Sequence, residues 1–139
     1  MLETRITAVT LGVADVERSL AFYARLGWKP RAQFPGVAFI SLNGLVLCLY
    51  ADLASDSGTS SRSASGGLVA VAHNVRNRDQ VDEALTLAEE AGAAITRPAH
   101  DADWGGRSGY FADPDGHLWE VAWNPHWPMD EQGRVNLGG

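Results

Sequence analysis

The chain has 139 residues, 17 of them acidic and 11 basic, and a net charge of −6 at pH 7, a composition typical of one acidic globular domain. This acidity argues against a nucleic-acid partner, because phosphate binding needs clustered Lys and Arg. No apolar run is long enough to span a membrane, no signal peptide is visible, and the single cysteine, Cys48, excludes an intrachain disulfide. We therefore expect a cytoplasmic protein that binds neither membrane nor nucleic acid.

The first half of the chain predicts a strand, a helix and three further strands. Asp15 is a typical N-cap residue for the helix, and Gly27 is positioned to end it. Asn43-Gly44 is a strong hairpin signal between the last two strands. The predicted elements are a strand at Ile6–Val13, a helix from Val16 to about Leu26, and strands near Lys29–Phe34, Val37–Leu42 and Leu45–Tyr50.

The second half repeats this plan after a serine-rich segment, Ala51–Gly67, which predicts a mobile connector. Asn77 and Gln80 have the spacing of a capping box at the start of a helix, and Gly92 ends that helix. The predicted elements are a strand at Leu68–Val75, a helix carrying Val81, Ala84, Leu85 and Ala88, and strands near Ala94–Arg97, Gly109–Ala112 and Leu118–Trp123.

The two halves align in register as an internal repeat. Val13 then matches Val75, and Ala8 matches Ala70. The turn glycines Gly44 and Gly116 also match, which aligns Cys48 with Glu120. The repeat predicts an α+β fold of two βαβββ modules in one domain, with a generic α+β sandwich as the alternative. Module 1 covers about residues 5–50, the connector 51–67, module 2 about 68–123 and a C-terminal tail 124–139.

Glu120 is the one acidic residue of an otherwise apolar strand that follows the tight turn Asp113–Gly116. A carboxylate in such a strand costs free energy unless it has a partner or solvent. Strand alternation places Glu120 on the side with small residues, opposite Trp119 and Val121. We interpret this side as the lining of a cavity. In the alternatives, Glu120 bonds to a tyrosine or arginine, or is hydrated in an open groove.

The other polar and aromatic residues give weaker indications of a functional role than Glu120. A structural role is favoured for the four histidines; His100, with Asp101 and Asp103, is predicted to lie in a loop that could attract a cation. His73 is predicted to lie under a helix. Cys48 has no neighbouring base, so we expect an inert, buried thiol. Trp104 stands in a glycine-containing bend, where it closes over a ligand or covers the edge of the core.

Two segments, TLGVADVERSLAFYARLGW and GYFADPDGHLWEVAW, resemble the vicinal oxygen chelate superfamily, which includes glyoxalase I, bleomycin-resistance proteins and extradiol dioxygenases. The resemblance implies paired βαβββ modules that form a U-shaped mixed sheet around a cavity, and a homodimer. The metal enzymes of the family use four ligands, from the first and last strand of each module. By motif these positions fall on Ala8, Cys48, Ala70 and Glu120. Only Glu120 keeps a family ligand type, so no cofactor is expected, with a divalent metal as the less favoured option.

We therefore expect a glyoxalase-like protein that binds a small organic molecule in the sheet cavity. Glu120 would be the central functional residue, and Thr10, Cys48, Tyr50, Trp104 and Tyr110 would line the cavity. The alternative is a lyase, isomerase or dioxygenase of the same superfamily that uses Glu120 as a base, or as a residual metal ligand with a partner such as His100. A third hypothesis is an interaction protein with a filled core and no pocket.

Overall fold

Each half of the chain forms a four-stranded mixed sheet that carries one long helix. The computed structural model describes residues 1–59 and 66–137, so residues 60–65 of the predicted connector and the last two residues of the predicted tail lie outside the described residues. The chain divides into two compact units between Leu68 and Val69. The predicted α+β fold of two βαβββ modules is confirmed.

The first unit has the strand order β1-β4-β3-β2, with β1 parallel to β4 and the other pairs antiparallel. The Asp15 side chain accepts a hydrogen bond from the Arg18 N–H and caps the first helix, as predicted. Asn43 and Gly44 both have positive φ, which is the geometry of a tight hairpin turn. The elements are β1 (Ala8–Gly12), α1 (Val16–Arg25), β2 (Ala32–Phe34), β3 (Val37–Leu42), β4 (Leu45–Tyr50) and a short helix, α2 (Leu53–Ser57).

The second unit repeats this topology with the strand order β5-β8-β7-β6. The predicted capping box is present: Gln80 N–H donates to the Asn77 side chain, and the Gln80 side chain accepts from the Asn77 N–H. The predicted Asp113–Gly116 turn closes with a 2.9 Å hydrogen bond from Gly116 N–H to the Asp113 carbonyl. The elements are β5 (Ala70–Asn74), α3 (Asp79–Ala91), β6 (Ala94–Asp101), β7 (Arg107–Ala112) and β8 (Leu118–Trp123).

The internal repeat is visible in the hydrogen bonds. Val13 N–H donates to the Tyr50 carbonyl in the first unit, and Val75 N–H donates to the Ala122 carbonyl in the second. These two bonds join equivalent positions of the aligned halves. The parallel strand pairs also share one register.

Each helix covers one side of its sheet and creates the core there. In the second unit, α3 packs on β6, β7 and β8, over the stacked rings of Phe111 and Trp119. In the first unit, Tyr23 of α1 is fully buried and stacks on Trp28. The opposite side of each sheet carries the small residues that the alternation predicted. In the first unit the short helix α2 contacts this side of β1, where Leu53 packs against Gly12.

Three sequence predictions are corrected. The connector was predicted to be mobile along its length, but its first residues form α2, where Leu53 packs against Gly12. Strand β6 continues past Pro98 to Asp101, since proline is tolerated in an edge strand. His100 therefore lies in a strand and not in a loop. His73 is exposed, because α3 packs on the other three strands of its sheet.

The longest helix of the described residues, α3, has 13 residues. Within that part of the chain, no helix combines the length and apolar character needed to span a membrane.

Candidate functional site

A row of side chains crosses the second sheet on the side opposite α3. Glu120 registers with Ala72 on one neighbouring strand and with Tyr110 on the other, and Tyr110 registers with Arg97. Residues directly opposite each other in a sheet lie on the same side. Ala72, Glu120, Tyr110 and Arg97 therefore form one continuous row, which we call the Glu120 row.

The positions on either side of the Glu120 row are mostly small. One flanking row is apolar and the other is mostly polar, and its members Ser108 and Ala122 are buried. The carboxylate, phenol and guanidinium of the Glu120 row thus stand beside side chains that are mostly shorter than their own. One flanking row contains Ala70, Leu118, Ala112 and Ala94, and the other contains Asn74, Ala122, Ser108 and His100.

The Tyr110 hydroxyl donates a 3.3 Å hydrogen bond to Oε2 of Glu120. Burial, and then the negative charge of Glu120, raise the pKa of Tyr110, so the phenol stays protonated at neutral pH. Glu120 is half-buried, and its second oxygen, Oε1, accepts no side-chain hydrogen bond from the described residues. One acceptor of the carboxylate is thus available to a ligand.

The equivalent position in the first unit is a thiol. Cys48 registers with Thr10, and the two side chains are hydrogen-bonded. Cys48 is only 7% exposed, and burial raises the pKa of its thiol. A protonated, buried thiol is a poor nucleophile, and the inert role of Cys48 stays a prediction. Tyr50 follows on the same side of β4, opposite Gly12 and Val37.

The residues at the four family metal positions do not fit the usual metal centre. Ala8 and Ala70 have no donor atoms, and Cys48 supplies a soft thiol where the lyases and dioxygenases of the family use nitrogen or oxygen. Within residues 1–59 and 66–137, no three His, Cys, Asp or Glu side chains lie close enough together to hold a metal ion. Only Glu120 offers a typical ligand.

His100, the proposed non-family partner of Glu120, shares its side of the sheet but registers with Ser108, two strands away from Glu120. The structure does not bring the two side chains together. The carboxylate of Asp101, which was expected to attract a cation with His100, instead contacts Arg78 at 2.5 Å and Arg107 at 3.1 Å.

Trp104 precedes β7 and keeps 44% of its surface exposed. A Cβ added at Gly106 would clash with the Trp104 ring and with the Trp123 carbonyl, so the glycine allows the indole to lie close to the backbone. Arg107 then anchors the end of this bend through two 2.8 Å contacts with Asp82 of α3. Trp104 is therefore an exposed aromatic surface on a bend with a well-anchored end.

A shallow surface cavity of about 670 Å³ lies in the first unit, and no predicted site residue is among its lining residues, although Ala51, which follows Tyr50, is one of them. Its lining comes from the start of α1 and from the segment around β2, where Phe34 is 60% exposed. The cavity contains the N-cap Asp15, whose side chain is already bonded to the helix. We therefore assign the candidate site to the Glu120 row.

Sequence reasoning missed Arg97 as a member of the site. Strand alternation was the available signal, but the register of β6 shifts on both sides of Arg97. Such bulges change which side a residue faces, and they are not visible in a single sequence.

Two βαβββ modules that share one register, with a single acidic residue on the open side of the second sheet, define a glyoxalase-like protein. The family model of the Glyoxalase/Bleomycin resistance protein/Dioxygenase superfamily matches residues 5–121, and the chain belongs to this superfamily.

Solved structures agree with this assignment. A glyoxalase-related enzyme from Fulvimarina pelagi is 38% identical, with a TM-score of 0.88, and the match covers 99% of this chain and 100% of that one. A glyoxalase/bleomycin resistance protein/dioxygenase from Nocardioides is 27% identical, with a TM-score of 0.72 and coverage of 88% and 85%. Lactoylglutathione lyase from Agrobacterium tumefaciens shares the fold at 22% identity, with a TM-score of 0.68 and coverage of 87% and 94%.

Proposed function

We propose that the protein binds a small organic molecule on the open side of the β5–β8 sheet, with Glu120 as the hydrogen-bond acceptor or ionic partner of the ligand. The observation that carries this proposal is Oε1 of Glu120, which accepts no side-chain hydrogen bond from the described residues and belongs to the strand position beside the small, exposed Ala72. An acceptor on an open surface of small residues is a binding group and contributes little to the core.

The proposed binding does not use the usual metal of the superfamily. Two of the four ligand positions are alanine, and the remaining carboxylate is engaged by Tyr110. Sequestration of the ligand is the simplest activity for such a site. We also propose that the protein acts as a homodimer in the cytoplasm.

An enzymatic function is the second candidate. The Glu120 carboxylate and the Tyr110 phenol are within hydrogen-bond distance, which is the arrangement needed by a base and an acid that act on one substrate. The related protein from Fulvimarina pelagi is described as a glyoxalase-related enzyme. Conversion of a bound ligand by the wild type, and its loss in Glu120→Gln with binding retained, would favour this candidate over sequestration.

The proposed function is tested by screening a panel of metabolites and antibiotics for changes in tryptophan fluorescence and in Tm. We expect a ligand that raises Tm in proportion to its concentration, because binding to the native state alone stabilises it. Glu120→Gln should weaken that binding, whereas Glu83→Gln on the exposed surface of α3 should leave it unchanged. Equal binding by Glu120→Gln and the wild type would remove Glu120 from the site.

The metal-free part of the proposal is tested by elemental analysis of the purified protein and by Tm with and without a chelator. We expect no stoichiometric metal and no change in Tm. One equivalent of a divalent metal, with a large loss of stability on chelation, would overturn this part while leaving the position of the site intact.

A further inference from the structure

Arg97 stands at the end of the Glu120 row on the edge strand β6, and it is exposed. Among the residues described, its guanidinium has no ion pair and no side-chain hydrogen bond. The arginines Arg78, Arg107 and Arg134, in contrast, each contact a carboxylate. An arginine left unpaired on the same surface as the candidate site is available to a ligand.

Two register shifts, one on each side of Arg97, set its position. Bulges of this kind turn a side chain toward a site and are common beside functional surfaces. They place Arg97 opposite Tyr110, where its positive charge acts on the phenol. Arg97 is thus the cross-strand neighbour of the tyrosine whose hydroxyl donates to Glu120.

We propose that Arg97 binds an oxyanion of the ligand, so that the site takes small organic acids that also carry a hydrogen-bond donor for Glu120. This inference rests on the proposed function and adds the chemical class of the ligand. The planar guanidinium matches the two oxygens of a carboxylate or a phosphate ester. In a protein with a net charge of −6, such an anion needs a local positive group, and Arg97 supplies it.

The two charged residues of the row also orient the ligand. Arg97 and Glu120 lie on strands separated by two strand spacings, about 10 Å between backbones. An anion placed beside Glu120 would be repelled, and the same anion beside Arg97 would be attracted. The acid group therefore binds over β6, and the donor group of the ligand points toward β8.

Isothermal titration calorimetry tests the inference with lactate, mandelate and 4-hydroxybenzoate, each compared with its neutral amide, and with phenyl phosphate as the phosphate-ester probe. We expect at least one acid to bind about ten-fold or more tightly than its amide, the factor typical of a hydrogen bond to a charged group. Arg97→Gln should abolish this preference and Arg97→Lys should retain part of it. Arg31→Gln, which removes one charge from another exposed arginine, is the matched control.

The outcomes separate this inference from the proposed function. Amides that bind as tightly as the acids, or an acid preference that survives in Arg97→Gln, would overturn the role of Arg97. If the neutral amides bind the wild type but not Glu120→Gln, the proposed function is retained without the role of Arg97. An absence of binding across acids, amides and phosphate ester would overturn both.

Discussion

Among the residues described, the Glu120 carboxylate has one side-chain hydrogen bond, the 3.3 Å bond from the Tyr110 hydroxyl to Oε2. This distance is longer than the 2.5–3.0 Å usual for O–H···O bonds, so the interaction is weak. A half-buried carboxylate retains part of its hydration. The pair therefore adds little to folding, and a ligand donor can replace Tyr110 at low free-energy cost.

The electrostatic coupling of this pair gives a prediction for Tyr110. Its pKa is raised by burial and by the charge of Glu120, and is lowered by Arg97. In Glu120→Gln the pKa of Tyr110 should fall toward its ordinary value near 10, because a neutral amide does not oppose the phenolate. Titration of ¹³C-labelled tyrosine by NMR resolves each phenol separately.

Tyr50 is the internal control for this titration. Burial and the charges of Asp56 and Asp52 raise its pKa, so it should not respond to Glu120→Gln. A Tyr110 pKa that is the same in the wild type and in Glu120→Gln would contradict the pairing of the two side chains.

At the scale of the elements, α3 and β7 approach each other closely at Gly109. A Cβ at this position would lie 2.5 Å from Leu85 Cδ1, and 3.0 Å from the Arg97 carbonyl oxygen and from the Ala99 amide nitrogen. Gly109→Ala should therefore destabilise the protein by about 1–3 kcal/mol, the usual cost of overpacking a core. Urea denaturation of the variant measures this change.

Two comparisons make the Gly109→Ala prediction specific. Gly12→Ala on β1 should change stability by less than about 1 kcal/mol, since its nearest neighbour, Leu53, lies at an ordinary 3.4 Å. Leu85→Ala should remove part of the Gly109→Ala penalty in the double variant, leaving the part caused by the backbone contacts. Equal costs in both backgrounds would show that Leu85 is not the obstacle.

Arg107 connects three elements, because it extends from β7 to Asp82 of α3 and Asp101 of β6. The hydrogen bond from Arg107 lowers the pKa of Asp82. The pKa of Asp101 is lowered by hydrogen bonds from Arg78 first and then from Arg107. An aspartate whose pKa is lower in the folded state stabilises the fold at a pH above its pKa in the unfolded chain, which is near 4. This stabilisation is lost as the pH falls through the pKa of the folded state. Arg107→Met should therefore show a shallower loss of stability in acid than the wild type.

Urea midpoints at neutral pH and below about pH 4 measure this difference. Arg134→Met is the comparison variant, because the pKa of its partner Asp130 is lowered first by the Arg134 backbone N–H, which the substitution keeps. Its acid limb should stay close to that of the wild type. Identical acid limbs for the wild type and Arg107→Met would contradict the proposed coupling of α3 to the sheet.

Over the whole molecule, the features that local chemistry specifies could be predicted from the sequence. The Asp15 cap, the Asn77–Gln80 capping box and the Asn43-Gly44 turn each depend on residues a few positions apart. Their repetition in two halves then predicted the topology. The open side of the second sheet also followed from the period of two, which a regular strand such as β8 obeys.

The remaining features depend on contacts between distant segments. Arg97 was missed because bulges in β6 interrupt the period of two. Helix α2 forms where Leu53 meets Gly12, a tertiary contact that propensity does not encode. The sequence allowed either a tyrosine or an arginine as the hydrogen-bond partner of Glu120. The antiparallel register of β7 and β8 places Tyr110 opposite Glu120 and makes it the partner.

The edge strands β1 and β5 lead us to predict that two chains associate. Among the residues described, β1 pairs only with β4 and β5 only with β8, and apolar residues precede both edges. Ile6 and Val69 are 69% and 61% exposed. Unpaired edges flanked by apolar surface favour association with another chain. Sedimentation equilibrium should therefore give twice the monomer mass of 14.9 kDa.

Charge at these edges should oppose that association. Ile6→Lys and Val69→Lys should shift the mass toward the monomer, and they should make Tm less dependent on protein concentration, because a dimer is stabilised by mass action. Leu87→Lys, at an exposed leucine of α3, is the matched control and should leave the mass unchanged. A wild type that sediments as a monomer at every concentration would contradict the dimer. In that case the apolar residues at the two edges would need a role within the single chain.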